Sequence, residues 1–225
     1  MENSKKEPIK ASTLSQFYWC AIESYIEHLR ELGDERVGPK KETVEMKEGE
    51  SFHEQSFGLY VTQMEEDTGR TILERMKDGK VTAVNHGDYQ IQGAPDEVVQ
   101  EKDGTAKIKE LKTTTNDVDK NFYEKYQMPR HRFQVQIYSW MLVKVPDISV
   151  ENPIITVKKR KEGQAEYWYE KEVEFDKREV EGKIDEVLEL FQSPEKLADY
   201  RPSVDWKCKN DNHWDLYRQI VLDKA

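Results

Sequence analysis

The sequence predicts an α/β fold in which a central mixed β-sheet is flanked by helices. Three observations carry this. An apolar stripe at helical spacing opens the chain, strand-like runs with tight-turn residues fill its middle, and helical periodicity returns twice afterwards. Helices first, a β-rich centre crossed by one helix, then a helical tail is the order of an α/β unit, with no internal repeat and no low-complexity linker. One domain over residues 1–225 is expected, with a core at about 49–192. The N-terminal helix at 12–33 and the tail at 199–225 are expected to pack together.

Each element follows from its local pattern. Leu14, Phe17, Ala21, Tyr25, Leu29 and Leu32 share one stripe, Ser12 or Thr13 offers a cap, and Gly33 ends the helix. Cys20 falls off that stripe. A charged loop with Gly38-Pro39 follows. A second helix is expected from about residue 50, running as far as Met76, with His53, Phe57, Tyr60 and Met64 on one face. Strand-like segments occupy 81–92, 96–100 and 106–112, the last two joined by Glu101-Lys102-Asp103-Gly104 as an antiparallel hairpin. A third helix covers about 121–142. Pro129 is tolerated there if the helix restarts at it, and Gln134, Ile137, Tyr138 and Met141 then lie on one face. Residues 153–159 and 165–175 form a second hairpin. Asp176 caps a last long helix that turns Ile184, Val187, Leu188 and Phe191 inward and ends near Ser193-Pro194. The tail carries Trp206, Cys208, His213 and Trp214.

Composition narrows the function. Lys and Arg number 35 against 45 Asp and Glu, a formal charge of −10, which argues against coating nucleic acid by charge alone. It leaves room for an enzyme that gathers carboxylates around metal ions. With 5 Trp, 11 Tyr and 7 Phe the chain has the bulk for a core, so disorder is not expected. No apolar run reaches the ~18 residues of a membrane span. The first residues lack the apolar stretch of a secretory signal, and two cysteines make no disulfide framework. A reducing, cytoplasmic setting is the expectation.

The residues with the most chemistry are Gly93-Ala94-Pro95-Asp96 and, 14 residues after the aspartate, Glu110-Leu111-Lys112. Strand alternation puts Glu110 and Lys112 on one side with Leu111 behind, and a hairpin brings Asp96 beside Glu110. Two close carboxylates repel unless a cation sits between them, and hard oxygen ligands suit Mg²⁺ or Mn²⁺. Lys112 is placed to orient a water or to offset negative charge on a phosphate. Standing alone, these residues are more often a charged surface hairpin than a site.

Together, Gly-Ala-Pro-Asp and Glu-Leu-Lys-Thr resemble the signature of the PD-(D/E)XK nuclease superfamily. Upstream, Gly49-Glu50-Ser51-Phe52-His53 resembles the Gly-x-x-x-His of RecB-like nucleases, and Gln134-Val135-Gln136-Ile137-Tyr138 their Gln-x-x-x-Tyr. The four motifs stand in the family's order across about 49–138. Within that superfamily the pattern resembles the CRISPR-associated Cas-four-type exonucleases, which viruses also carry. The resemblance implies a restriction-endonuclease-like core and a Mg²⁺- or Mn²⁺-dependent deoxyribonuclease, an exonuclease on single-stranded DNA or DNA ends. It also implies His53, Asp96, Glu110 and the Leu111 carbonyl as metal ligands, Lys112 as the catalytic lysine, and Gln134 and Tyr138 as DNA-positioning groups. Arg130 and Arg132, just ahead of Gln134, are candidate contacts to the DNA backbone. The alternatives are an inactive nucleic-acid- or protein-binding module on the same fold, and a restriction-type endonuclease.

The subfamily's iron–sulphur cluster is not expected here. Cys20 and Cys208 fit two of its four cysteine positions, but Asp211 and Tyr217 stand at the other two, and two thiolates do not make a four-cysteine site. Zinc held by Cys20, Cys208, Asp211 and His213 is chemically allowed. The simpler expectation is two unpaired thiols where the first helix meets the tail. Lys158-Lys159-Arg160-Lys161 reads as a solvated strand end.

Overall fold

The computed structural model describes residues 6–39, 71–72, 82–100, 105–115, 117–145, 148–161, 164–200 and 212–222. The fold is α/β, with mixed sheets flanked by helices. Strand β1 (Glu7–Lys10) leads into α1 (Ala11–Gln16) and α2 (Ala21–Glu31). Strands β2 (Thr71–Ile72), β3 (Thr82–His86), β4 (Tyr89–Gly93), β5 (Glu97–Gln100) and β6 (Thr105–Thr115) follow. A short helix α3 (Lys120–Phe122) passes through a π-helical turn (Tyr123–Gln127) into α4 (Met128–Val143). Then come β7 (Ser149–Val150), β8 (Ile154–Lys161), β9 (Gln164–Glu172), α5 (Lys177–Gln192) and α6 (Asn212–Tyr217).

The described strands divide into two sheets. One has the order β1-β4-β3, with β1 parallel to β4. The other has the order β2-β5-β6-β8-β9, with β7 also paired to β6. In it β6 and β8 are parallel and the β5–β6 and β8–β9 pairs antiparallel, so both expected hairpins form. Helix α4 crosses the larger sheet, packing on β6 and β8 with one side and on α1 and α5 with the other. That double contact explains why it buries Phe133, Val135, Ile137, Trp140, Met141 and Leu142 around most of its circumference. Pro129 sits in its first turn, as expected. Asp176 caps α5 by accepting from the Arg178 and Glu179 amides, and Ile184, Val187, Leu188 and Phe191 are buried.

Four local expectations change. The single helix at 12–33 is two helices, because the backbone of Cys20 is extended and its Sγ accepts from the Glu23 amide, capping a fresh start. Both helices bury the same stripe, so periodicity alone does not register the break. Cys20 itself is buried rather than off the core, and it is disulfide-bonded, which overturns the expectation of an unpaired thiol there. Cys208 and Asp211 lie outside the described residues. Thr71–Ile72 form a strand against β5, so the second helix does not reach Met76; the rest of that stretch lies outside the described residues. Residues 81–92 are two strands folded at Gly87, whose φ of 54° suits a residue without Cβ. The parallel strand β1 has no counterpart in the sequence-based expectation.

The N-terminal helix and the tail do meet. Helix α2 packs on α6, and the buried Tyr217 donates its hydroxyl to the Pro194 carbonyl at 2.6 Å. No described helix is long and apolar enough to cross a membrane.

Candidate active site

The β5–β6 register sets Glu97 opposite Lys109, which leaves Asp96, just ahead of β5, across from Glu110. The two acids are tied crosswise. The Asp96 amide donates to Glu110 Oε2 at 3.2 Å, and the Leu111 amide donates to Asp96 Oδ2 at 2.8 Å. Lys112, two residues on and therefore on the same face as Glu110, donates its Nζ to Glu110 Oε1 at 2.6 Å. Glu110 is 3% exposed. Burial pushes its carboxyl above the ordinary range and Asp96 pushes further, while the Lys112 ammonium opposes both. A buried acid flanked by a second acid and an ammonium is a site under electrostatic tension.

The α4 face above this cluster carries Gln134 and Tyr138, one turn apart and both buried. Gln134 Nε2 donates to the Tyr138 hydroxyl at 2.9 Å. Burial and then the Glu110 charge hold the Tyr138 phenol well above its usual range, so it stays protonated. Gly93 explains how the ring sits there. A Cβ at position 93 would lie 2.5 Å from Tyr138 Cε1 and 3.2 Å from the Ala11 Cβ. Gly93→Ala is therefore expected to cost about 1–3 kcal/mol and to displace the Tyr138 ring. A urea titration alongside the Tyr138 hydroxyl's NMR environment checks both parts.

His131, one further turn back on the Gln134–Tyr138 stripe, is a candidate that the motif reading passed over. Its signal was available: 131, 134 and 138 follow helical spacing. Burial, then the charges of Lys112 and Arg130, hold its imidazole well below the ordinary histidine value, so it is neutral at pH 7. Its Nδ1 is shielded from solvent with no hydrogen-bond partner. Arg130 is half-buried, and its Nε is likewise shielded from solvent without a hydrogen-bond partner. Arg132 is exposed but points elsewhere. It lies 3.9 Å from Glu124 and lines a cavity of about 440 Å³ with Tyr18, Phe133, Gln136 and Lys183. The structure thus brings together Asp96, Glu110, Leu111, Lys112, Gln134 and Tyr138, and leaves Arg132 apart. His53 lies outside the described residues. Among the described residues no group of three or more His, Cys, Asp or Glu side chains is arranged to hold a metal ion; the site offers two acids.

No family model matches the chain, and no curated protein matches it. Among solved structures, the protein titled SSO0001 is similar with a TM-score of 0.52 and 17% identity, over 96% of this chain and 86% of that one. An alkaline exonuclease from Laribacter hongkongensis matches with a TM-score of 0.48 and 13% identity, over 86% of this chain and 92% of that one. What the chain shares with SSO0001 is the fold.

Proposed function

We propose that this protein is a metal-dependent deoxyribonuclease of the RecB-like branch, acting on single-stranded DNA or DNA ends. The observation that carries the proposal is the Asp96–Glu110–Lys112 cluster on one strand face, beneath Gln134 and Tyr138. Two converging carboxylates at the end of a hairpin suit a small hard cation, and the raised carboxyl of Glu110 is the cost that such a cation would relieve. Asp96 and Glu110, with His53 and the Leu111 carbonyl, are the groups proposed to hold Mg²⁺ or Mn²⁺, which when bound supplies an activated water and charge neutralisation.

The chain's own residues have distinct parts. Lys112 Nζ keeps a fixed position through Glu110 and presents ammonium charge where negative charge would build on the scissile phosphate. The Gln134–Tyr138 pair, protonated and locked by its own hydrogen bond, presents a hydroxyl that donates to a phosphate oxygen or orients the lysine. Burial around Glu110 excludes bulk water and strengthens each of these interactions.

The test is a time course on 5′- and 3′-labelled single- and double-stranded DNA with Mn²⁺, Mg²⁺ or EDTA. Shortening of labelled single strands with either metal, abolished by EDTA, is expected. Metal-independent cleavage, or none under any condition by folded protein, overturns the proposal.

A further inference from the structure

Beside the carboxylate cluster, the structure carries a second feature that the proposed chemistry does not use. Between Val157 and Lys158 the β8–β9 register slips: Val157 pairs with Tyr169 and Lys158 with Tyr167, leaving Trp168 as an extra residue. A bulge of this kind re-aims a side chain. Here it turns Trp168 toward the α4 side of the sheet, where its ring meets Tyr123 at 5.5 Å and Tyr169 at 5.0 Å between centroids. Tyr123 in turn stacks on His131 at 5.8 Å, and His131 feels the charge of Lys112. A continuous row of rings therefore leads away from the lysine of the site.

Cations accompany the row. Lys159 is registered beside Thr114, two residues beyond Lys112 and so on the same sheet face. Its Nζ lies 4.3 Å from the centre of the Trp168 ring. Lys120, exposed at the start of α3, holds its Nζ 4.7 Å from the centre of Tyr169. The acids nearby are Asp117, which faces Lys159, Glu166, registered opposite Lys159 on β9, Asp119, which caps α3 beside Lys120, and Glu124, which is 3.9 Å from both Arg132 and Lys171. Each of the two half-exposed rings, Trp168 and Tyr169, thus has an ammonium group held over it.

We infer that Trp168, Tyr169, Lys159 and Lys120 form a track for single-stranded DNA running from Lys112 along the β8–β9 hairpin. The inference rests on the nuclease reading for its occupant. A nucleotide offers a planar base and an anionic phosphate, the two partners that a ring and an ammonium at this separation accept. The bases of a duplex are already stacked and have no face to offer, so the track selects an unpaired strand. Phosphate groups alone would need the lysines without the rings.

The experiment measures binding of a fluorescein-labelled 20-nucleotide oligothymidylate and of a blunt duplex by the full chain in EDTA, with hydrolysis of thymidine 5′-(p-nitrophenyl phosphate) in Mn²⁺ measured in parallel. Trp168→Leu, which keeps apolar bulk, and the surface pair Lys120→Glu and Lys159→Glu are each expected to weaken single-strand binding about tenfold or more. The charge variants are also expected to flatten its salt dependence. The small ester, which engages only the carboxylate cluster, should turn over unchanged. Tyr167→Ala, 65% exposed and on the opposite face of the hairpin, should leave single-strand binding unchanged. Lys120→Glu and Lys159→Glu keep the test informative should Trp168→Leu fail to fold. Variants that bind the oligothymidylate like the wild type, or lose duplex binding equally, overturn the track. If the wild type binds the oligothymidylate through Trp168 but never hydrolyses the ester, the nuclease reading falls and the track stands.

Discussion

Glu110→Gln is expected to lower metal-dependent DNA cleavage by about 10³-fold or more, on the order of 4 kcal/mol of transition-state stabilisation. The fold should remain intact. The amide oxygen still accepts from the Asp96 backbone, as Glu110 Oε2 does at 3.2 Å, and the side chain keeps its volume in a site only 3% exposed. What disappears is the negative charge on which the proposed cation depends. A labelled-strand assay in Mn²⁺ reads the rate, and a Glu110→Gln protein that cleaves at the wild-type rate removes Glu110 from the chemistry.

The same substitution has a signature in stability against pH, measured with EDTA present. Burial raises the carboxyl of Glu110 above its ordinary 4.5 in the folded state. Below that ordinary value both folded and unfolded chains hold the proton, and the site imposes no penalty. As pH climbs from 4.5 through the raised value, the unfolded chain releases its proton first, so stability falls across that window. Wild type and Glu110→Gln are therefore expected to be similar at pH 4 and to diverge above it, the variant becoming the more stable. Urea titrations from pH 4 to 8 check the sign; parallel curves would contradict it.

Lys112→Ala is expected to be the most destabilising change at the site, by about 3 kcal/mol at pH 8, because it strands the buried Glu110 without its ammonium partner. The pair is close, at 2.6 Å, and lopsided: the lysine side chain is 16% exposed and the glutamate 3%. The lysine can find water if its partner goes, whereas the glutamate cannot. Adding Glu110→Gln to Lys112→Ala should then recover most of the loss, a coupling of about 1–3 kcal/mol. Additive losses in a double-mutant cycle by urea denaturation would mean that the two side chains do not lean on each other.

How much of this was readable in the chain differs by element. The β5–β6 hairpin was, since the alternation of 106–112 and the Asp-Gly turn signal leave one register that puts Glu110 and Lys112 on a common face. The α5 helix was too, from the Asp176 cap and its apolar spacing. The break at Cys20 was not, because two helices buried against the same core repeat one stripe across their junction. Nor was β1, whose four residues Glu7–Lys10 gain strand identity only by lying parallel to β4.

At the site, strand and hairpin geometry named Asp96, Glu110 and Lys112, helical spacing put Gln134 and Tyr138 on one face, and only the resemblance gave that pair a role. The place of His131 on that stripe was legible from its spacing, but its role was not, and Trp168 was hidden altogether. The role of His131 depends on which side of α4 meets β6, and the direction of Trp168 on a register slip in a distant hairpin. Arg130 and Arg132 show the same divide: both are cations next to Gln134 in the chain, but the helix's packing shields the guanidinium Nε of one and turns the other toward Glu124. Periodicity, capping and turn chemistry are short-range and were legible in the residues themselves. Which face is covered, which charge is stripped of water and which ring is turned toward the site are long-range matters that packing alone settled, since burial is a property of neighbours far off in the chain.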